Sequence, residues 1–228
     1  MKVDIQFGPA NSAAVLELEP GETITTEAGA MISMSGDMRI STTTHKKNSG
    51  GIFKAMKRML AGENFFLNHF SSSQQGGQLI LGTALSGDMA VKELDNERLI
   101  VQAGSFVAAE ESLDMDLGWQ GFGKALFSGE SAFWLNISGS GKLIFNSFGA
   151  IYPVEVDGEY IVDTGHIVAF EESLEFKIAK AGGSWATAIL GGEGLVCRFQ
   201  GKGTVWCQSH NAGSFGSSLG PKLRSRSA

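Results

Sequence analysis

Four histidines, two cysteines and a few clustered glutamates are the side chains in this sequence with chemistry to offer. Metal binding and general base catalysis both need such groups brought together at defined spacing. His45, His69, His166 and His210 follow neither a helical nor a hairpin spacing, so no pair carries a metal-ligand pattern. No Gly-x-Ser-x-Gly elbow stands between a strand and a helix, and Gly139-Ser-Gly141 and Gly213-Ser214 read as turns. Cys197 and Cys207 are too few for a disulfide framework. A hairpin turning at Gly201-Lys202-Gly203 would set them opposite one another as buried thiols. The pairs Glu110-Glu111 and Glu171-Glu172 offer oxygen ligands to a divalent cation. Adjacent strand residues point to opposite faces, however, and the matching place earlier in the chain holds Ser35-Gly36, so solvated turns are expected. Gly191-Gly-Glu-Gly194 lacks the Lys-Ser/Thr and the helix of a phosphate loop. These residues assign no catalytic group, no metal ligand and no cofactor.

One carboxylate does recur. Glu63, Glu130 and Glu193 each follow a glycine, and each belongs to a longer motif that appears three times. Glu22-Thr-Ile-Thr-Thr-Glu-Ala-Gly29 matches Glu97-Arg-Leu-Ile-Val-Gln-Ala-Gly104 and, one residue shorter, Glu159-Tyr-Ile-Val-Asp-Thr-Gly165. A recurring carboxylate fits a turn in which it accepts backbone N–H bonds, with a threefold ligand or ion site as the other reading. Self-similarity in fixed order implies stacked or ring-arranged units. The boundaries fall at 1–92, 93–154 and 155–212, followed by a tail over 213–228 whose basic end, from Pro221, has no apolar face.

The elements that position these residues are strands. Each unit opens on a turn signal, Pro20-Gly21, Asp95-Asn96 or Asp157-Gly158. A buried strand follows, richest in β-formers at Leu99-Ile-Val101 and Tyr160-Ile-Val162. The glycine after it marks a bend, and Phe106 to Ala109 and Ile167 to Phe170 then read as a second strand. Beyond the Gly-Glu pair, apolar runs around Gly77, Gly141 and Gly203 predict hairpins. Between these parts lie three inserts. Ile52, Phe53, Met56, Met59 and Leu60 fall at helical spacing, with Lys54, Lys57 and Arg58 between them, which predicts a short basic amphipathic helix. Phe122, Leu126 and Phe127, and Trp185, Ile189 and Leu190, mark the shorter equivalents. Brought to one end of the molecule, these apolar groups would form an interface, with other copies of the chain or with a lipid surface. Alternatively each plugs the open end of its own sandwich.

Composition restricts the partners. The formal net charge of -6 gives no long-range attraction to nucleic acid, and none is expected as a partner. No apolar run reaches the ~20 residues of a membrane span, and the start has no signal-peptide pattern, so a cytoplasmic location is expected, with attachment to a membrane surface as the alternative.

Tyr160-Ile-Val-Asp-Thr-Gly-His-Ile-Val-Ala-Phe-Glu171 and Gly191-Gly-Glu-Gly-Leu-Val-Cys-Arg-Phe-Gln-Gly-Lys-Gly-Thr-Val-Trp206 resemble the altered inheritance of mitochondria protein 24 family over about residues 1–210. The resemblance implies an all-β fold of three β-sandwich repeats, like the tryptophan RNA-binding attenuation protein, about a pseudo-threefold axis. It implies no catalytic residues. The expected function is a non-enzymatic, self-associating scaffold or assembly protein. A peripheral membrane or envelope organiser and a small-ligand binder with a concave polar site between repeats are the alternatives.

Overall fold

The computed structural model describes residues 1–43, 66–117, 134–180 and 195–223. Within them the chain is all-β apart from one short helix near the end and a few single 3-10 turns. The first stretch gives β1 (Lys2–Gln6), β2 (Ala13–Leu18), β3 (Thr23–Glu27), β4 (Met31–Met34) and β5 (Arg39–Thr43). β6 (Leu67–Ser71), β7 (Gly77–Leu81), β8 (Met89–Gln102), β9 (Phe106–Glu110) and β10 (Leu113–Leu117) follow. The remaining strands are β11 (Trp134–Asn146), β12 (Ile151–Asp163), β13 (Ile167–Glu171), β14 (Glu175–Lys180) and β15 (Leu195–Gln208), and helix α1 spans Ala212–Leu219.

Two antiparallel sheets result. One has the order β1-β2-β7-β4; the other runs β12-β15-β13-β8-β11-β9-β3-β6-β5, with β10 added to β11 and β14 to β15. Sequence pattern explains the difference between strands. β3 alternates, burying Ile24 and Thr26 and leaving their neighbours half-covered. β9 and β13 are apolar and buried on both faces up to their closing glutamates, as continuous hydrophobic runs require. Three apolar clusters form the core: one around Leu16, Leu79 and Leu81, one around Leu135, Phe106 and Phe145, and one around Phe170, Cys197 and Phe199. Each fully buried side chain of this size contributes about 1.5–3 kcal/mol.

The predicted hairpins do not form. β6 and β7 lie in different sheets, and the apolar runs flanking Gly141 and Gly203 are single long strands, β11 and β15. The turns expected at Asp95-Asn96 and Asp157-Gly158 are likewise inside continuous strands, β8 and β12. Asn96 takes a φ of 54°, but β11 shifts register opposite it, between Gly139 and Gly141, so the ladder bends and continues. The Asn96 amide donates to Ser140 Oγ at 2.9 Å across that bulge. Cys197 and Cys207 are therefore ten positions apart along one strand rather than paired across a turn, facing Val162 and Tyr152 respectively on β12. Both are free thiols, and burial pushes them up to about 12 and about 11. Tyr160 and Ile161 also depart from expectation: they are exposed, although their β-forming character predicts burial.

The second glutamate feature is similarly sharpened. Glu110 Oε2 accepts from the Lys142 amide at 2.8 Å and Glu171 Oε2 from the Thr204 amide at 3.0 Å. Ser35 Oγ, at the matching place in the first stretch, accepts from the Gln78 amide at 2.9 Å. Glu110, Glu171 and Ser35 are half-buried clamps on the bent strands, while Glu111 and Glu172 stand in exposed turns as expected. A side chain at Gly141 or Gly203 would strike the clamping carboxylate and the neighbouring serine, which is why glycine stands beside each clamp.

Candidate polar cavity at the strand ends

Three strand ends meet at one place. β3 ends at Glu27, β8 at Gln102 and β12 at Asp163, and a bend follows each. After β8 the bend is a 3-10 turn over Ala103–Ser105; after β12 it is one over Thr164–His166, with Asp163 Oδ1 accepting from the Gly165 amide at 2.8 Å. Glu27, Gln102, Gly104, Ser105, Thr164 and Gly165 together line a cavity of about 440 Å³. Its other walls come from Trp134, Asn146 and Gln208 at strand termini, from Thr83 to Leu85, from Phe148, and from Asn211 to Gly213 at the start of α1.

Polar side chains in these walls are of two kinds. Gln208 is satisfied: its Nε2 donates to the Gly165 carbonyl and its Oε1 accepts from the Phe148 amide, both at 2.9 Å. It locks the bend after β12 to the loop after β11. His166 Nδ1 lies 2.8 Å from the Gln208 carbonyl, an acceptor, so that nitrogen carries the proton. Asn211 Oδ1 accepts from the Ser214 amide at 3.0 Å and caps α1. Packing sets the aromatic wall: Phe148 lies edge-on to Phe215 of α1 at 5.4 Å, and Trp134 edge-on to Phe170 at 5.5 Å.

The second kind is unsatisfied. Asn146 is 7% exposed, and its Oδ1 has no hydrogen-bond partner among the described residues. Leaving such an acceptor buried and unpaired costs about 1–3 kcal/mol. Glu27 has no ion pair or side-chain hydrogen bond there either, and burial raises its carboxyl to about 7. Glu27, its carboxyl raised by burial to about 7, therefore lines a space large enough for a small ligand, while the Asn146 oxygen is buried within the wall of the same cavity. The Glu27 carboxylate can accept N–H donors and balance a positive charge.

The residues singled out from sequence are distributed differently. Glu63, Glu130 and Glu193 lie outside the described residues, as do the insert positions Ile52, Phe53, Met56, Met59, Leu60, Phe122, Leu126, Phe127, Trp185, Ile189 and Leu190, and His45. His69 and His210 are apart from each other: the first pairs with Thr25 Oγ1 at 2.9 Å, the second with Ser209 Oγ at 2.8 Å. Among the described residues no group of three His, Cys, Asp or Glu could hold a metal ion, and no helix is long and apolar enough to cross a membrane. Glu27 and Asn146 were missed. A faint signal was present: Glu27, Gln102 and Asp163 each stand two residues before a bend glycine, and Asn146 and Gln208 each close an apolar strand.

Fold and site thus define an all-β protein of antiparallel sheets with a cavity where its strand ends converge. Residues 4–210 match the family described as Mitochondrial biogenesis AIM24, and the chain belongs to that family. An uncharacterised protein of Streptococcus pyogenes serotype M6 is 30% identical over 209 residues, spanning 90% of this chain and 84% of its own. The crystal structure of a Streptococcus pyogenes protein is similar at a TM-score of 0.79 and 26% identity, covering 97% of this chain and 99% of that one.

Proposed function

We propose that this protein is a non-enzymatic β-scaffold of three sandwich units, and that it binds a small amine-bearing ligand in the cavity where the ends of their strands converge. The reading is carried by one observation: Glu27 lines the cavity with no ion pair or side-chain hydrogen bond to another described residue. A primary ammonium or guanidinium group would pair with the Glu27 carboxylate, and Phe148 in the wall adds apolar contact. Convergence of the three bends on one cavity supports the arrangement of units.

Binding requires the charged form of Glu27, so amine affinity rises as pH climbs through about 7. Calorimetric titration with spermidine, agmatine and butylamine, with butyrate as the oppositely charged control, tests this. The expected result is binding of at least one amine, about tenfold or more weaker in Glu27→Gln, since a charged hydrogen bond is worth about 1.5–3 kcal/mol. Equal heats from the wild type and Glu27→Gln, or binding of butyrate alone, would refute the reading.

A further inference from the structure

The same strand junction is made twice inside the chain, and both halves of a third stand open. β9 joins β3 through Ala108 opposite Thr26, Ala109 opposite Thr25 and Glu110 opposite Ile24. β13 joins β8 through Ala169 opposite Val101, Phe170 opposite Ile100 and Glu171 opposite Leu99. Measured from the bend glycines, the two registers coincide. Ala108 and Ala169 stand four residues after Gly104 and Gly165, while Thr26 and Val101 stand three residues before Gly29 and Gly104.

β4 is built like β9 and β13 on its inner side. Its Met31, Ser33 and Met34 face Leu81, Ile80 and Leu79 of β7, with a register shift between Met31 and Ser33. Phe106, Ala108 and Ala109 face Phe145, Ile144 and Leu143 of β11 with a shift at the corresponding place, and Ile167, Ala169 and Phe170 face Cys207, Trp206 and Val205 of β15 likewise. The outer side of β4 pairs with no described strand, and neither does the outer side of β12. Exposure follows. Met31 and Ile32 are 40% and 60% exposed and Tyr160 and Ile161 are 44% and 46%, whereas Phe106, Val107, Leu99 and Ile100 are fully buried.

These two edges carry less of the protection that other outer strands have, the second half of β12 holding charges only at Glu159 and Asp163. β1 has Lys2 and Asp4, β14 has Glu175 and Lys177, and the first half of β12 has Pro153, Glu155 and Asp157. Charges and proline of this kind discourage edge-to-edge pairing. Met31-Ile-Ser-Met34 and Tyr160-Ile-Val162 contain neither. Within one chain the two edges belong to different sheets and form no ladder with each other.

We propose that β4 of one copy of this chain pairs with the second half of β12 of another, head to tail, completing between molecules the junction made twice within each. The register carried over from the internal junctions sets Ser33 opposite Val162, Met34 opposite Ile161 and Ser35 opposite Tyr160. Because the two edges differ, the contact is heterologous and generates a closed ring or an open filament rather than a twofold dimer. Main-chain hydrogen bonds supply the adhesion, as in strand addition generally, and the four exposed apolar side chains supply the buried area. The inference is independent of the cavity and of what it binds.

Sedimentation velocity on the full chain over a wide concentration range, beside a cross-linking assay, tests it. Wild type is expected at two or more times the single-chain mass; Ile161→Lys and Ile32→Lys fall to the single-chain mass, and Val91→Lys, on an exposed face of β8 away from both edges, does not. For the second assay, Met34→Cys chains are mixed with Ile161→Cys chains and oxidised. Residues directly opposite on antiparallel strands are at disulfide distance, and the native thiols Cys197 and Cys207 are buried, so a linked pair of unlike chains is expected. A wild type that stays at single-chain mass at every concentration overturns the proposal. So does an assembly unaffected by the lysine variants, or a mixture of the two cysteine variants that forms no linked pair of unlike chains.

Discussion

β13 and β4 sit on the same kind of inner neighbour in the same register, yet one is sealed and the other is open. Ile167, Val168, Ala169 and Phe170 are buried because β8 closes over the outer edge of β13; Met31 and Ile32 are exposed because no described strand does this for β4. The contrast separates two contributions that sequence merges. Apolar, β-forming residues make a strand, but only a second edge makes it a core strand.

The largest expected effect comes from truncating each kind of edge. Ile100→Ala, in the closed junction, empties space in a packed core and should cost about 2–5 kcal/mol. Ile161→Ala, on the open edge of β12, should stay within about 0.5 kcal/mol at concentrations where the chain is dispersed. Urea unfolding midpoints, read with unchanged slopes, measure both. Similar costs at the two positions would mean that the open edge is covered in solution and would erase the distinction.

Much of this architecture was legible in the residues. The strand following each bend, Phe106 to Ala109 and Ile167 to Phe170, stands where its apolar run places it. So does the all-β class, which the many glycines, few prolines and short apolar runs indicate. The predicted hairpins failed because a positive-φ residue such as Asn96 makes a turn when its strand is alone and a bulge when a partner bends with it. Helix α1 was missed because Ala-Gly-Ser-Phe-Gly-Ser-Ser-Leu is poor in helix formers; its Asn211 cap and the contact of Phe215 with Phe148 hold it. The cavity was illegible for a related reason. Glu27 and Asn146 are 119 positions apart in sequence, and only long-range pairing brings their strand ends together.

A middle-sized effect tests the clamps that keep the bent strands in register. Glu171→Ala removes the acceptor of the Thr204 amide beside the closed junction and should cost about 1–3 kcal/mol, the expense of leaving that donor without its charged partner. Ser35→Ala removes the weaker, neutral acceptor of the Gln78 amide beside the open edge, and about 0.5–1.5 kcal/mol is expected. Thermal melts at fixed low concentration compare the two. A larger loss at Ser35 would show that the open side depends more on its clamps than the closed side does.

The smallest effect is one of pH, and it asks whether closing a junction also sets the chemistry at its end. Glu27 terminates β3, the strand sealed by β9, and burial there lifts its carboxyl from the ordinary 4.5 to about 7. In the unfolded chain the group ionises at about 4.5, so its contribution to stability is fully present below that pH, declines between 4.5 and 7, and is gone above. Glu27→Gln keeps the shape of the neutral acid and cannot ionise. The variant should therefore match the wild type near pH 4 and exceed it above about 7.5, by ~1 kcal/mol once the ideal value of about 1.4 kcal/mol per pH unit is discounted for a group that water still partly reaches. Chemical denaturation at pH 4, 6 and 8 reads the divergence. Loosening the junction with Ala108→Gly should shrink it, because a carboxyl better reached by water returns toward its ordinary range; a divergence indifferent to that change would place the origin of the shift in the cavity walls rather than in the sealed edge.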